Sequence, residues 1–334
     1  MVLPRLALVG DPRSISPWLL SAMTRVGRLE AICGPGAEEC PLSVPVRWAF
    51  SDASRMLREA EPEGVVIQCP MRERAALIKQ CLAAAARVLL TGIPAAAAMC
   101  RRLDSMGKVT GRAILAASAI RFSPAVRQAE RLLESGRFGL PVSLAVRSSW
   151  PSSHRGPAPA SPSPVDPDQV FEAVDLVFAL LGGLRQVHAS IHATGVLSAL
   201  CNAENGANVL LECHSSGDPE LDGVEIDLRA ADGTWLRIDR AGHLTCARGS
   251  KVEAWHHPSA ATADPAKELG YEGLLAEFRR TLVDHRGVSG GLLRPAPAVT
   301  ATVEAIFASG QKNRPTRPTR SEGSQAEDVA AATP

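Results

Sequence analysis

The 334-residue chain carries 36 Lys and Arg against 35 Asp and Glu, a formal net charge of +1, with 46% hydrophobic, 21% charged and 4% aromatic residues. Such a balance suits a globular protein with a sizeable core. It gives no electrostatic reason to expect nucleic acid or an anionic membrane as partner, and so few rings argue against a base-stacking platform. The length exceeds that of a usual single domain, so two domains are expected.

The first apolar run, residues 2–9, contains Pro4 and Arg5 and makes a poor signal peptide. The most apolar window, residues 81–100, is broken by Arg87 and Pro94 and falls short of a membrane span. The eight cysteines show no CxxC pair and no metal-ligand spacing; several lie in apolar runs, where Cys behaves as a small buried hydrophobe. A reduced, cytoplasmic protein without a metal site is the expectation.

Residues 5–10 read as an apolar strand, 11–16 as a turn and 17–26 as a helix. Ser16 or Asp11 is the expected cap, with Pro17 in the first turn and Gly27 as the stop. Strands at 29–33, 64–69, 88–91 and 113–117 then alternate with helices at 51–59, 73–86 and 95–106. Continuous apolar strands alternating with helices predict a parallel sheet covered on both faces.

The pattern changes after residue 119. A helix at 124–135 and a strand at 141–149 precede a proline-dense stretch, 150–167, expected to be a linker or lid loop. A helix follows at 168–181. Strands at 186–193, 208–214, 224–230 and 234–238, with turns at Asn205-Gly206 and Asp232-Gly233, predict a mainly antiparallel sheet. Helices at 268–284 and 298–309 close the chain, and the polar segment beyond them is expected to be disordered.

Several landmarks keep one order and spacing over residues 3–312. They are the opening strand and turn, Cys69-Pro70, the loop ending in Pro94, Arg121-Phe122-Ser123-Pro124 with Gly136-Arg137-Phe138-Gly139, and Asp168 to Asp175 leading to Gly182. Asn205-Gly206-Ala207, Gly233, and Tyr271 with Phe278 complete the set. In these the chain resembles the glucose–fructose oxidoreductase/inositol dehydrogenase/rhizopine catabolism (Gfo/Idh/MocA) family. The resemblance implies an α/β fold: a Rossmann-like parallel-sheet domain at 1–119, an α+β domain with a large, mainly antiparallel sheet at 120–312, and a disordered tail at 313–334. It also implies NAD or NADP as cofactor, a sugar-like ligand, and association through the second sheet as a homo-oligomer or with an active relative.

Position by position, the family's chemistry is eroded. The glycine-rich GxGxxG turn is Gly10-Asp11-Pro12-Arg13-Ser14-Ile15, which keeps one glycine, and Pro12 brings no N–H for a phosphate oxygen. The ribose-binding acid falls at Gly34 or Pro35. By resemblance the remaining cofactor contacts are Gly10, Arg13, Ser14, Pro70 and Pro94. Arg74 stands at a histidine position four residues after Pro70, and Ile93 replaces the lysine that serves the substrate oxygen. In the helical Asp-x-x-x-His motif Asp168 is kept and Glu172 replaces the histidine.

Asp168, Glu172 and Asp175 share one helical face, where crowded carboxylates raise one another's pKa. A solvated acidic stripe is the plainer alternative, and an ion pair between Arg74 and Glu172 a third. The candidate catalytic residues are accordingly Glu172, Asp168 and Arg74. Three functions stay open: a pseudoenzyme serving as partner subunit or ligand scaffold; an atypical NAD(P)-dependent oxidoreductase using Arg74 and Glu172, with Arg121 or His154 as further candidates; and a nicotinamide-independent eliminase or isomerase.

Overall fold

Short strands that are apolar on both faces alternate with helices over the first part of the chain. The computed structural model describes residues 3–39, 44–151, 164–216, 223–256, 263–283, 291–292 and 295–319. In order come β1 (Arg5–Gly10), α1 (Pro17–Val26), β2 (Arg28–Cys33), β3 (Trp48–Phe50), α2 (Ala53–Ala60), β4 (Gly64–Gln68), α3 (Met71–Ala83), β5 (Arg87–Leu90), α4 (Ala97–Thr110) and β6 (Ala113–Ala116). They form a parallel sheet ordered β3-β2-β1-β4-β5-β6, to which β15 (Gly291–Leu292) adds beside β6. The order reverses between β1 and β4, and ligands of such sheets bind beyond the carboxyl ends of the strands at that switch.

Alternate residues of each strand feed opposite layers. Ala7 and Val9 pack with Met56, Ile78 and Leu103. Leu6 and Leu8 face the other way, onto Leu19, Met23 and Phe278. Each fully buried side chain of this size contributes about 1.5–3 kcal/mol.

The second part adds a single helical turn (Ile120–Phe122), α5 (Pro124–Glu134), β7 (Pro141–Pro151), α6 (Pro167–Leu181), β8 (Leu184–His192), β9 (Val196–Ala203), β10 (Asn208–Ser216), β11 (Gly223–Ala230), β12 (Trp235–Ile238), β13 (Leu244–Arg248), β14 (Lys251–His256), α7 (Pro265–Glu268), α8 (Tyr271–Val283) and α9 (Ala296–Lys312). The eight-stranded sheet runs β14-β13-β12-β11-β7-β10-β9-β8 and is antiparallel except between β7 and β10. α6 and α9 pack against one face. The other carries a groove of about 810 Å³ lined by Ala145, Arg147, Leu200, Asn208, Asp227 and Arg237. Across it Arg147 bridges Glu212 at 2.9 Å and Asp227 at 3.0 Å.

The chain crosses back to the first domain twice. β15 extends the parallel sheet, and Glu304 of α9 accepts a hydrogen bond from the Ala97 amide at 2.7 Å, capping α4.

Several sequence expectations need correcting. Neither Ser16 nor Asp11 caps α1; Ser16 occupies the cap position without a side-chain bond to the helix amides, and Asp11 bonds within its own turn. β9, β13 and β14 were not expected: β9 alternates buried and exposed residues faithfully, whereas β13 and β14 are short and charged. The helix expected at 268–284 is two helices, α7 and α8, broken at Gly270. Within the polar tail, α9 runs on to Lys312 and Thr316 pairs with Val187, so the segment starts ordered. Residues 152–163 of the proline-dense stretch, His154 among them, and residues 320–334 lie outside the described residues.

The break at Gly270 is dictated by contact. Its φ is +82°, and a Cβ there would lie 1.9 Å from the Ala119 carbonyl oxygen. Gly111 is also left-handed, φ +65°, but opens onto empty space. Gly270→Ala is therefore expected to lower unfolding stability by more than Gly111→Ala, which should cost on the order of 1 kcal/mol. Urea midpoints of the two variants compare them directly.

Candidate functional site

The site is assembled at the carboxyl ends of β4 and β5, where α3 and α6 meet. Pro70, with no amide to donate, occupies the position just before α3, and Arg74 stands one turn in. Its Nε donates to the Cys69 carbonyl at 2.8 Å and its Nη1 to the Ile93 carbonyl at 2.7 Å. Nη1 and Nη2 also grip Asp168, at 2.7 Å to Oδ1 and 2.5 Å to Oδ2. The Ile93 amide donates to the same Oδ1 at 2.9 Å. Arg74 is 8% exposed.

One ion pair thus clasps both backbone groups of Ile93. The parallel fork of a guanidinium on a carboxylate is among the strongest side-chain geometries. Asp168 lies in the first turn of α6, where the helix dipole favours a negative charge. Asp166 caps that helix through the Asp168 amide at 2.9 Å. Gly92 has to be glycine here, because a Cβ would lie 2.4 Å from Asp168 Oδ1. The Ile93 side chain joins the hydrophobic core, and Pro94 is buried.

The Arg74–Glu172 pair, the third of the alternatives, does not form: Arg74 takes Asp168. Both carboxylates were within one helical turn, and the Ile93 amide, a second donor to Asp168, explains the choice. The three acids on the face of α6 have different surroundings. Asp175 is 0% exposed and accepts from the Ser118 amide and the Arg121 guanidinium, each at 2.8 Å. Burial pushes its pKa up, against the pull of Arg121 and the Ser118 amide. This is no solvated stripe.

Glu172 lies between these two pairs. Burial, then Asp168, Asp166 and Asp175, push its pKa up to about 8, and neither a cation nor a hydrogen bond offsets them. It can hold or release a proton near neutrality. Cys69, the thiol next to the clasp, is pushed up to about 11 by burial and is not a thiolate nucleophile. Gln68 donates to the Thr91 hydroxyl at 3.4 Å across the strand ends. Burial also raises the pKa of Tyr271, whose phenol bonds Ser16 and so links α8 to the start of α1.

Arg13 and Ser14 lie apart from this cluster, exposed in the turn after β1, while Gly10 ends β1 and pairs with Gln68. The Arg13 amide donates to Asp11 Oδ1 at 3.0 Å, and the Ser14 amide to the Asp11 carbonyl at 3.0 Å. Sequence reasoning had not given Asp11 this role, although Asp followed by Pro is a known turn signal whose side chain bonds the backbone two residues on. Among the described residues no group of three or more His, Cys, Asp or Glu is placed to hold a metal ion, and no helix is long and apolar enough to cross a membrane.

Neither a family model nor a curated protein sequence matches the chain. Solved structures do. Levoglucosan dehydrogenase in complex with NADH and levoglucosan superposes with a TM-score of 0.78 at 14% identity, over 95% of this chain and 100% of that one. An oxidoreductase from Agrobacterium radiobacter in complex with NAD+, L-tartaric acid and magnesium gives 0.75 at 14%, over 95% and 98%. A dehydrogenase from Chromobacterium violaceum gives 0.76 at 15%, over 99% of both chains. The fold is that of the Gfo/Idh/MocA oxidoreductases. Both sheets of the Gfo/Idh/MocA architecture are present here, and the likeness spans nearly the whole chain.

Two outcomes follow from this geometry. Asp168→Asn leaves a buried guanidinium short of its counter-ion and should cost about 3–5 kcal/mol in urea unfolding; Arg74→Lys, which loses the fork, should recover little of what Arg74→Leu loses. Glu172 has its folded pKa raised from an ordinary 4.5 to about 8, so the native state holds a proton that the unfolded chain releases. Its contribution is fully present below pH 4.5 and is lost as pH rises towards 8. Glu172→Gln should then match wild type in thermal midpoint at acidic pH and exceed it at pH 8.5 to 9.

Proposed function

We propose that this chain is a Gfo/Idh/MocA-fold protein without dehydrogenase activity of its own, acting as a partner subunit or ligand-binding scaffold. The observation that carries this reading is the Arg74–Asp168 clasp on the Ile93 backbone. Transferring hydride to or from a hydroxyl-bearing carbon needs a group that takes, gives or stabilises the proton at that oxygen. In the family that group is the lysine replaced here by Ile93. The guanidinium beside it cannot deprotonate, and its Nε, Nη1 and Nη2 already serve Cys69, Ile93 and Asp168. The sugar-like ligands of the superposed structures, levoglucosan and L-tartaric acid, suggest a small polyol or hydroxy acid for the cleft. The open, charged face of the eight-stranded sheet is the surface on which a second copy or an active relative would sit.

The test is nucleotide reduction at 340 nm with NAD+ and NADP+, offering levoglucosan, L-sorbose and L-tartrate, with and without magnesium. No turnover above the protein-free rate is expected. Turnover on the order of 1 s⁻¹ would end this reading.

One observation favours a second reading, an oxidoreductase with relocated acid/base groups. Among the described residues Glu172 has no ion-pair partner, unlike Asp168 and Asp175 on the same α6 face, and its pKa stands near working pH. On that reading any turnover found would vanish in Glu172→Gln and show a pH limb near 8.

A further inference from the structure

The turn between β1 and α1 is where a doubly wound sheet receives a pyrophosphate. It does so by offering unpaired backbone N–H groups at a helix N-terminus. Residues 10–14 offer few. Pro12 has no N–H. The Arg13 amide donates to Asp11 Oδ1 at 3.0 Å. The Ser14 amide and the Ser14 hydroxyl both donate to the Asp11 carbonyl, each at 3.0 Å. Every backbone donor from residue 12 to residue 14 is therefore missing or satisfied by Asp11 itself.

Gly10, the one glycine kept, and Gly34 beside it do not argue for a phosphate cradle, because strand packing accounts for them. A Cβ on Gly10 would lie 2.5 Å from the Gln68 carbonyl oxygen, and one on Gly34 would lie 2.0 Å from the Gly10 carbonyl oxygen. Both are needed for β1 to approach its neighbours, whatever binds above them. Asp11 is partly exposed at this turn. There it supplies the negative charge and the acceptor oxygen that a phosphate would otherwise bring.

We infer that Asp11 is a built-in anion that closes this turn, so that the cleft excludes NAD(H), NADP(H) and other diphosphate-bearing ligands and takes a phosphate-free one. Arg13 is the one nearby feature that points the other way. Its guanidinium lies 3.7 Å from where a Cβ on Gly36 would stand, on the loop after β2. A cation on that loop suits a 2′-phosphate. It does not replace the pyrophosphate donors, and its presence means that both cofactors have to be titrated. The inference concerns binding and stands apart from the loss of hydride chemistry at Arg74. Cofactor binding without turnover would overturn it and leave the proposed function in place.

The experiment is calorimetric titration of the full chain with NADH, NADPH and inorganic pyrophosphate, on wild type, Asp11→Ala and Asp11→Asn. Asn keeps an acceptor for the Arg13 amide and removes the charge; Ala removes both. Wild type is expected to show no saturable binding of any of the three below about 1 mM. Pyrophosphate affinity should rise about tenfold in Asp11→Ala, with Asp11→Asn between the two. Should Asp11→Ala fail to fold, Asp11→Asn alone decides, again by a gain over wild type. Micromolar binding of NADH or NADPH to wild type, or pyrophosphate affinities that do not change on removing the Asp11 charge, would overturn the inference.

Discussion

The bidentate pair between Arg74 and Asp168 determines more of this molecule than any other contact. One partner comes from α3 of the first domain and the other from α6 of the second, and the loop after β5 runs between them. A buried ion pair is a weak source of net stability, because both charges give up water to form it. Its value is in selecting one arrangement. Two peptide groups, a guanidinium and a carboxylate are satisfied together only when α3, α6 and the loop after β5 meet in one arrangement. Gly92 is without a side chain for the sake of this contact, and Ile93 turns its own into the core.

The same helix shows how little a residue type fixes by itself. Asp168, Glu172 and Asp175 have nearly equivalent positions along α6. Asp168 is neutralised from α3 and Asp175 by Arg121, while the charges that act on Glu172 among the described residues are those of Asp168, Asp166 and Asp175. A carboxylate with a partner becomes part of the framework, and one without becomes a proton store. The distinction comes entirely from residues remote in sequence.

That remoteness decides what the sequence could and could not disclose. The parallel sheet was legible because its strands are apolar on both faces, and the alternation with helices leaves few other folds. The loss of the lysine at Ile93 was legible residue by residue. The choice of Asp168 over Glu172 by Arg74 was not, since both lie within reach and the deciding donor is a backbone amide. Gly270 looked like an ordinary helical glycine until the Ala119 carbonyl was found against it. β13 is too short to stand out as a strand, and β14 carries Lys251 and Glu253 within six residues. Asp11 is an intermediate case: Asp-Pro announces a turn, but not that the turn uses up its own donors.

The reach of α9 and β15 back to the first domain bears on how the molecule comes to be made. α4 obtains its cap from Glu304, and the outer edge of β6 is covered by a strand some 180 residues downstream. While the ribosome is still delivering the second domain, the parallel sheet stands with one edge bare and one helix start unsatisfied. Closure of the first domain is therefore among the last events of synthesis, although its own segments are the first to emerge.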